Sequence, residues 1–280
     1  MKKYPSTATA TLVRLAALCL IIAVSLAYGT IPSHTVPDFN ADNSVDLVLF
    51  NSSTNQTAVW FLHDNTLVGT RFGPDIPTGW TLVDAGDFNG DNYVDYALFN
   101  ESTNRTAIIY LTGTTFRASA FGPTLPAGSA LASADEFNHV RPDLVIFNAA
   151  TRGLGVLFLN NNTLTGTGSF GTVPAGYTPI GGGDFNLDGR LDYAFFNPTT
   201  RQTVIWYLNG TTVVSSAFGP TPPAGWAVVG VGDFNVDGSP DFLLFNAATR
   251  QTAIWHLSNT RFIGGAFGPT IPAGWEIAVP

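Results

Sequence analysis

Residues 184–232 read DFNLDGRLDYAFFNPTTRQTVIWYLNGTTVVSSAFGPTPPAGWAVVGVG, and the chain repeats this pattern in four other stretches. The copies begin at Asp38, Asp87, Glu136, Asp184 and Asp233, so their spacings are 49, 49, 48 and 49 residues. A fixed period of this length is typical of repeat architectures, in which each unit buries its apolar face against the next. The repeat therefore decides the fold.

Each copy contains four short runs of β-branched, aromatic and aliphatic residues, separated by turn-forming Asn, Gly, Pro and Thr. In the fourth copy the predicted strands are 192–197, 203–208, 212–218 and 225–231. No run has a helical period, and the prolines before each fourth strand would break a helix. Four strands per unit is the pattern of a propeller blade, so the sequence predicts an all-β, five-bladed β-propeller.

The two ends of the repeat region complement each other. The first copy lacks the strand that follows the PAG or PTG turn and precedes the acidic loop elsewhere, and the fifth copy ends with such a strand, GWEIAVP, at 274–280. We expect this C-terminal strand to complete the first blade, because a closed ring exposes few sheet edges. An open stack, or a larger ring shared between chains, remains an alternative, although each leaves terminal repeats uncapped.

The N-terminus has the features of a secretory signal. Lys2, Lys3 and Arg14 precede an apolar run, and small residues stand at Ser25 and Ala27, where a signal peptidase would read them. We expect a signal peptide at 1–27, a lead-in at 28–37 and the propeller at 38–280. The predicted location is secreted, extracellular or at the cell surface, without membrane insertion once the signal is removed; a periplasmic location and an uncleaved anchor are alternatives.

Charge and cysteine content narrow the class of protein. The single cysteine, Cys19, lies in the signal, so the exported part must be held by its core, by metal ions, or by both. The chain has 20 acidic and 12 basic residues, and three of the basic residues belong to the signal. This acidity argues against nucleic acid or an anionic membrane as partner.

Fourteen of the 20 acids lie in the loops that begin the copies. Four loops place oxygen side chains at positions 1, 3, 5 and 9 and a residue that tolerates a left-handed backbone, Gly or Asn, at position 6. With the backbone carbonyl of position 7, this set suits Ca²⁺ better than Mg²⁺ or zinc. The sequence predicts about four Ca²⁺ sites, with Ser44, Tyr93, Arg190 and Ser239 acting through the carbonyl. The candidate ligands are Asp38, Asn40, Asp42, Ser44, Asp46; Asp87, Asn89, Asp91, Tyr93, Asp95; Asp184, Asn186, Asp188, Arg190, Asp192; and Asp233, Asn235, Asp237, Ser239, Asp241.

Two questions remain open about these loops. The aspartates can also accept hydrogen bonds from their own backbone as Asx-turns, without metal, although three carboxylates in nine residues repel one another unless a cation compensates. The third loop, with Glu136, Asn138, Arg141 and Asp143, is one residue shorter and lacks an acid at position 5. Either Arg141 lies against Glu136 or Asp143 as an internal cation, or this loop has lost the site altogether.

The motifs D-F-N-x-D-G-x-x-D, F-N-x-x-T-x-Q-T-A-I-W-x-L and AFGP...PAGW resemble, over residues 38–280, the FG-GAP or VCBS-type repeats of bacterial secreted and surface proteins. The acidic loop is similar to the calcium loops of integrin α-subunit propellers. The resemblance implies Ca²⁺ between the first and second strands of blades, with Asp233, Asn235, Asp237, Asp241 and their equivalents as ligands. It does not fix a binding partner, since related propellers include sugar-binding lectins and adhesion proteins. Asn43 and Asn92 depart from the expected glycine.

We expect a non-catalytic binding or adhesion module for a glycan or a protein at the cell surface. Candidate ligand-binding residues follow the PAG or PTG turn: Trp80, Tyr177, Trp226 and Trp275. Core packing is the competing and favoured interpretation for these, and it is favoured more strongly for Trp60, Trp206 and Trp255. A structural docking scaffold is the alternative function. An enzyme is disfavoured, because the acids outside the loops are scattered and the four histidines form no cluster in the sequence.

Overall fold

The computed structural model describes residues 37–137 and 141–279, which form twenty β-strands and, within these ranges, no helix. The predicted signal, the lead-in up to residue 36 and Asn138 lie outside the described residues. The strands are β1 Leu47–Asn51, β2 Gln56–His63, β3 Thr66–Phe72, β4 Thr81–Gly86, β5 Asp95–Asn100, β6 Arg105–Thr112, β7 Thr115–Thr124, β8 Ser129–Asp135, β9 Asp143–Asn148, β10 Gly153–Asn160, β11 Thr163–Thr172, β12 Thr178–Gly183, β13 Asp192–Phe196, β14 Thr203–Asn209, β15 Thr212–Phe218, β16 Trp226–Gly232, β17 Asp241–Asn246, β18 Gln251–Ser258, β19 Arg261–Thr270 and β20 Glu276–Val279.

The strands form five antiparallel sheets of four strands, which are the five blades. Blades two to five take their strands in chain order, β4–β7, β8–β11, β12–β15 and β16–β19. The first strands of neighbouring blades, such as β8 and β12, pack side by side and form the inner wall of the ring. The prediction of an all-β, five-bladed propeller is confirmed.

The first blade has the order β20-β1-β2-β3, so its innermost strand comes from the C-terminal end. Val48 pairs with Val279, and Phe50 with Glu276. The ring therefore closes within one chain, as expected, and the open stack and the shared ring are both wrong. The strand bounds predicted for the fourth copy agree with β13 to β16 to within one residue at each end.

The apolar core lies between the blades. One cluster joins Val48 and Val59 of the first blade to Tyr96 and Ile109 of the second. The other four clusters join the remaining pairs of neighbours in the same way. The neighbouring blades cover both faces of the inner strands of each blade. These inner strands therefore consist of nearly continuous apolar residues.

A buried threonine explains the glycine of the FGP motif. Thr252 is 1% exposed, and its hydroxyl donates to the carbonyl of Pro269 at 2.7 Å. A Cβ on Gly268 would lie 2.5 Å from that hydroxyl oxygen, closer than such contacts occur. The first, second and fourth blades repeat this arrangement. In the third blade Leu154 replaces the threonine, and Phe170 is buried instead of exposed.

Candidate functional site

The acidic loops lie at one end of the ring. In the second to fifth blades the loop links the innermost strand to the next one, and in the first blade it leads into β1. The connector that carries Trp80 or its equivalent enters the same innermost strand from the opposite end. We call the two ends the acidic-loop face and the connector face. Metal ligands and aromatic candidates are thus separated by the length of a strand.

Each intact loop folds around its first aspartate. Oδ1 of Asp233 accepts the N–H of Asp237 at 3.0 Å, and Oδ2 accepts the N–H of Gly238 at 2.8 Å. Asp38, Asp87 and Asp184 accept the equivalent bonds in their own loops. Asx-type hydrogen bonds are therefore present in all four intact loops.

Position 6 has the left-handed backbone that the sequence predicts, with φ of 65° at Asn43 and 88° at Gly238. Position 4 is also left-handed, which the sequence did not suggest, because Ala41 and Val236 occupy it at φ of 61° and 58°. At position 7 the N–H of Ser44, Tyr93, Arg190 and Ser239 donates to the carboxylate of position 5. This bond fixes the residue whose carbonyl is the candidate ligand.

The aspartate at position 9 is completely buried. Oδ1 of Asp46 accepts the N–H of Leu62 at 3.1 Å, and Oδ2 accepts that of Phe39 at 2.8 Å, so one side chain ties the loop to β2. Burial, together with repulsion from Asp38 and Asp42, raises the pKa of Asp46 to about 8. Burial likewise raises the pKa of Asp95, Asp192 and Asp241 to about 7.

These loops fit a hard cation by their donor chemistry. The side chains at positions 1, 3, 5 and 9 offer only carboxylate and amide oxygens, and each oxygen has lone pairs beyond those that accept N–H groups. In residues 37–137 and 141–279, no three His, Cys, Asp or Glu side chains form a ready-made metal cluster. The repulsion that raises the pKa of Asp46 is what a divalent cation would offset.

The third loop keeps one part of this arrangement. Asp143 is buried, and its Oδ1 accepts the N–H of Leu159 at 2.8 Å, as at position 9 elsewhere. Arg141 forms no salt bridge with Asp143 among the described residues, and its pairing with Glu136 stays a prediction. Its guanidinium donates to Asn160 and Asn161 across the blade.

Two acids near the axis were not recognised from the sequence as a pair. Asp84 is fully buried on β4, and Asp135 is 2% exposed at the end of β8. Asp84 accepts the N–H groups of Ala85 and Ala134, and Asp135 accepts the hydroxyl of Ser133 at 2.5 Å. Burial raises the pKa of both carboxyls, that of Asp135 to about 7. The sequence signal is that glycine stands at the position of Asp135 in three other copies and at the position of Asp84 in two.

The tryptophans of the second strands belong mostly to the core. Trp60 and Trp206 are 8% and 7% exposed, which confirms the core interpretation for these two, and Trp255 is partly buried. Trp80, Tyr177, Trp226 and Trp275 each pack one side on an interblade cluster and are half-buried.

Three of these four rings meet an exposed phenylalanine of the same blade. Trp226 stacks on Phe267 with ring centroids 5.8 Å apart, and Trp80 stacks on Phe121 at 6.0 Å. The rings of Trp275 and Phe72 lie 6.2 Å apart. Phe72, Phe121 and Phe267 are 70%, 57% and 65% exposed. The pairs occupy the fifth, first and second blades, which are consecutive in the ring.

Arginines of the connector face hold these aromatic residues in place. The guanidinium of Arg250 donates to the carbonyls of Ile271 and Pro272, both at 2.9 Å, and to that of Trp275. Arg152 makes the same set of bonds to the connector that precedes Tyr177. These bonds restrain the connectors that carry Trp275 and Tyr177.

The fold and the loops define a five-bladed β-propeller with acidic repeat loops. Residues 184–244 match the model of the FG-GAP-like repeat family, so the fourth repeat and the start of the fifth carry this family's repeat. No match is found among the curated proteins. The part of the chain that the structure describes has no helix long and apolar enough to cross a membrane.

Several solved structures resemble the chain at low identity. A protein of unknown function from Bacteroides caccae is 13% identical, with a TM-score of 0.46 over 79% of this chain and 72% of that one. An auxiliary nutrient binding protein from Bacteroides thetaiotaomicron is 8% identical, with a TM-score of 0.43 over 87% and 68%. The Tc holotoxin pore of Photorhabdus luminescens is 13% identical, with a TM-score of 0.44 over 89% and 13%.

Proposed function

We propose that this protein is an exported, calcium-braced binding module that captures glycans through the aromatic pairs of its connector face. The observation that carries the proposal is the row of three aromatic pairs, each with an exposed phenylalanine, on consecutive blades. Flat, rigid aromatic surfaces contribute large contact area at low entropic cost, and repeated weak contacts give avidity. The module does no chemistry of its own.

Calcium has a bracing role in this proposal. The ligands would be the oxygens at positions 1, 3, 5 and 9 and the carbonyl of position 7 in the four intact loops. Support comes from the buried carboxyls at position 9, whose pKa is raised mainly by burial and further by repulsion from the other aspartates of the same loop. A bound cation would keep these carboxylates ionised and hold each loop on the blade behind it.

Thermal unfolding with Ca²⁺ and with excess chelator tests this role. Metal that binds only the folded state adds about 2.7 kcal/mol per site at a hundred times its Kd, so the melting temperature should rise with Ca²⁺. Asp237→Ala should reduce the rise by one site's share, whereas Asp75→Asn, at an exposed acid outside the loops, should leave it intact. A melting temperature that does not respond to Ca²⁺ would show that the loops are Asx-turns alone.

A glycan array with the full chain tests the ligand class. Phe267→Ala removes an exposed ring and leaves the half-buried Trp226 in the core, so the variant should fold and lose most of the signal. Ile263→Ala, at a 54% exposed residue of the same strand, is the matched control and should bind as the wild type does. A blank array would overturn glycan binding in favour of protein docking.

A further inference from the structure

A shallow cleft lies between the second and third blades on the acidic-loop face. We propose that this cleft binds a uronic acid residue, a sugar whose ring carries hydroxyl groups and a carboxylate. The site lies at the opposite end of the ring from the aromatic pairs and does not depend on them. Its cavity of about 440 Å³ is lined by Asn89, Asp91, Tyr110, Arg117, Ala118, Asn161 and Asn162.

The lining offers hydrogen-bonding groups for the sugar hydroxyls and an aromatic side chain for the sugar ring. Asn161 has an amide whose oxygen accepts hydrogen bonds and whose Nδ2 donates them, so it can bind sugar hydroxyls, whereas Asp91 belongs to the proposed Ca²⁺ loop beside it. Tyr110 forms a side wall and is held there by a hydrogen bond from its hydroxyl to Asn162, at 3.3 Å. A cavity of this size, with an aromatic wall and convergent polar groups, suits a single sugar residue.

The positive charge of the cleft comes from Arg117 and Arg141. Nε of Arg117 donates to the hydroxyl of Thr112 at 2.8 Å, which fixes the guanidinium at the base of β7. Nη1 of Arg141 donates to the side chain of Asn161 at 3.1 Å, so this arginine stands at the edge of the cavity. Among the described residues Arg117 forms no salt bridge with a carboxylate, although this face carries most of the acids. Arginine is suited to bidentate recognition of a carboxylate.

Gly90 makes room for Arg141. A Cβ at this position would lie 2.8 Å from Nη2 of Arg141, too close without displacement of the guanidinium. The backbone does not itself require glycine here, because Ala41, Leu187 and Val236 occupy the equivalent position with φ near 60°. Among the four intact loops, only the loop that faces Arg141 has glycine at position 4. Gly90 of the second loop therefore leaves the space that Arg141 of the third loop occupies at the edge of this cleft.

Calorimetric titration of the full chain with glucuronate, in buffer containing Ca²⁺, tests the proposal. Glucose and acetate serve as the hydroxyl-only and carboxylate-only probes, and each should bind at least roughly tenfold more weakly than glucuronate. Arg117→Gln should weaken glucuronate binding by roughly tenfold, since a charge-assisted bond is lost. Gly90→Ala should weaken it similarly by displacing Arg141, with an unchanged melting temperature, because Ala41 is tolerated at the same position in the first loop.

Matched controls separate this site from the rest of the ring. Arg261→Gln removes an exposed arginine at the start of β19, and Phe267→Ala removes an aromatic pair of the connector face. Both variants should bind glucuronate as the wild type does. Equal binding of glucose or of acetate, undiminished binding by Arg117→Gln and Gly90→Ala, or no binding of glucuronate would each overturn the proposal.

Discussion

Replacing Asp135 by asparagine should make the protein more stable at pH 8. Burial raises the pKa of this carboxyl from 3.8 to about 7, so the folded protein must ionise an unfavourably placed group at high pH. A difference of about three pKa units corresponds to about 4 kcal/mol, which is the upper limit of the gain. Asparagine keeps the contacts, since its Oδ1 can accept the N–H of Gly182 and its Nδ2 can donate to Ser133.

The gain should depend on pH. Between about pH 4 and pH 7 the folded protein keeps a proton on Asp135 that the unfolded chain releases, so the free energy of unfolding of the wild type falls as pH rises through this window. The difference between Asp135→Asn and wild type should therefore be small near pH 4 and reach its maximum above pH 7. Urea unfolding at both pH values, at fixed Ca²⁺ concentration, measures this difference and cancels the contribution of the loop carboxyls.

Ser133→Ala is the control for lost hydrogen bonds. It removes the hydroxyl that donates to Asp135 and lies 2.7 Å from the hydroxyl of Tyr193, so it should destabilise the protein by about 1 to 3 kcal/mol. If Asp135→Asn proves equally stable or less stable than wild type at pH 8, ionisation of the buried carboxyl does not lower the free energy of unfolding, which would refute the prediction.

Two further predictions concern the connector face. Gly268→Ala should destabilise the protein by about 1 to 3 kcal/mol in urea unfolding, because its Cβ would meet a buried hydroxyl, whereas Gly264→Ala in the same strand has open space and should have little effect. Arg250→Gln should cost about 1 to 3 kcal/mol by leaving connector carbonyls without donors, and it should shift the emission of the adjacent Trp275; an unchanged spectrum and stability would contradict the bracing role.

The sequence predicts the strands of each blade well, because the apolar runs and turn residues that form them lie within a single copy of the repeat. The four strands of the fourth copy follow from alternating apolar runs and turn residues, and closure follows from the orphan strand at 274–280. The left-handed turn at Gly238 follows from a local backbone preference. These features depend on neighbours in the chain, and the sequence displays them directly.

Contacts between blades were harder to predict. The sequence left two alternatives for the loop of Arg141, and neither indicated that Arg141 reaches the hairpin of its blade and the glycine of the preceding one. Asp84 and Asp135 come from different blades and become a pair only when the ring is built. No single repeat contains this information, because it arises from the rotation between repeats.

The closure of the first blade by β20 also bears on circular permutation. Val279 lies beside Val48, so the described chain begins and ends in the same blade. A chain joined by a short linker from residue 279 to residue 37, and opened in the connector at 219–225, retains every strand pairing of the five sheets. Because every pairing survives, the two chain ends can be moved to another blade. The same ring can therefore form from a chain in which the blades follow one another in a different order.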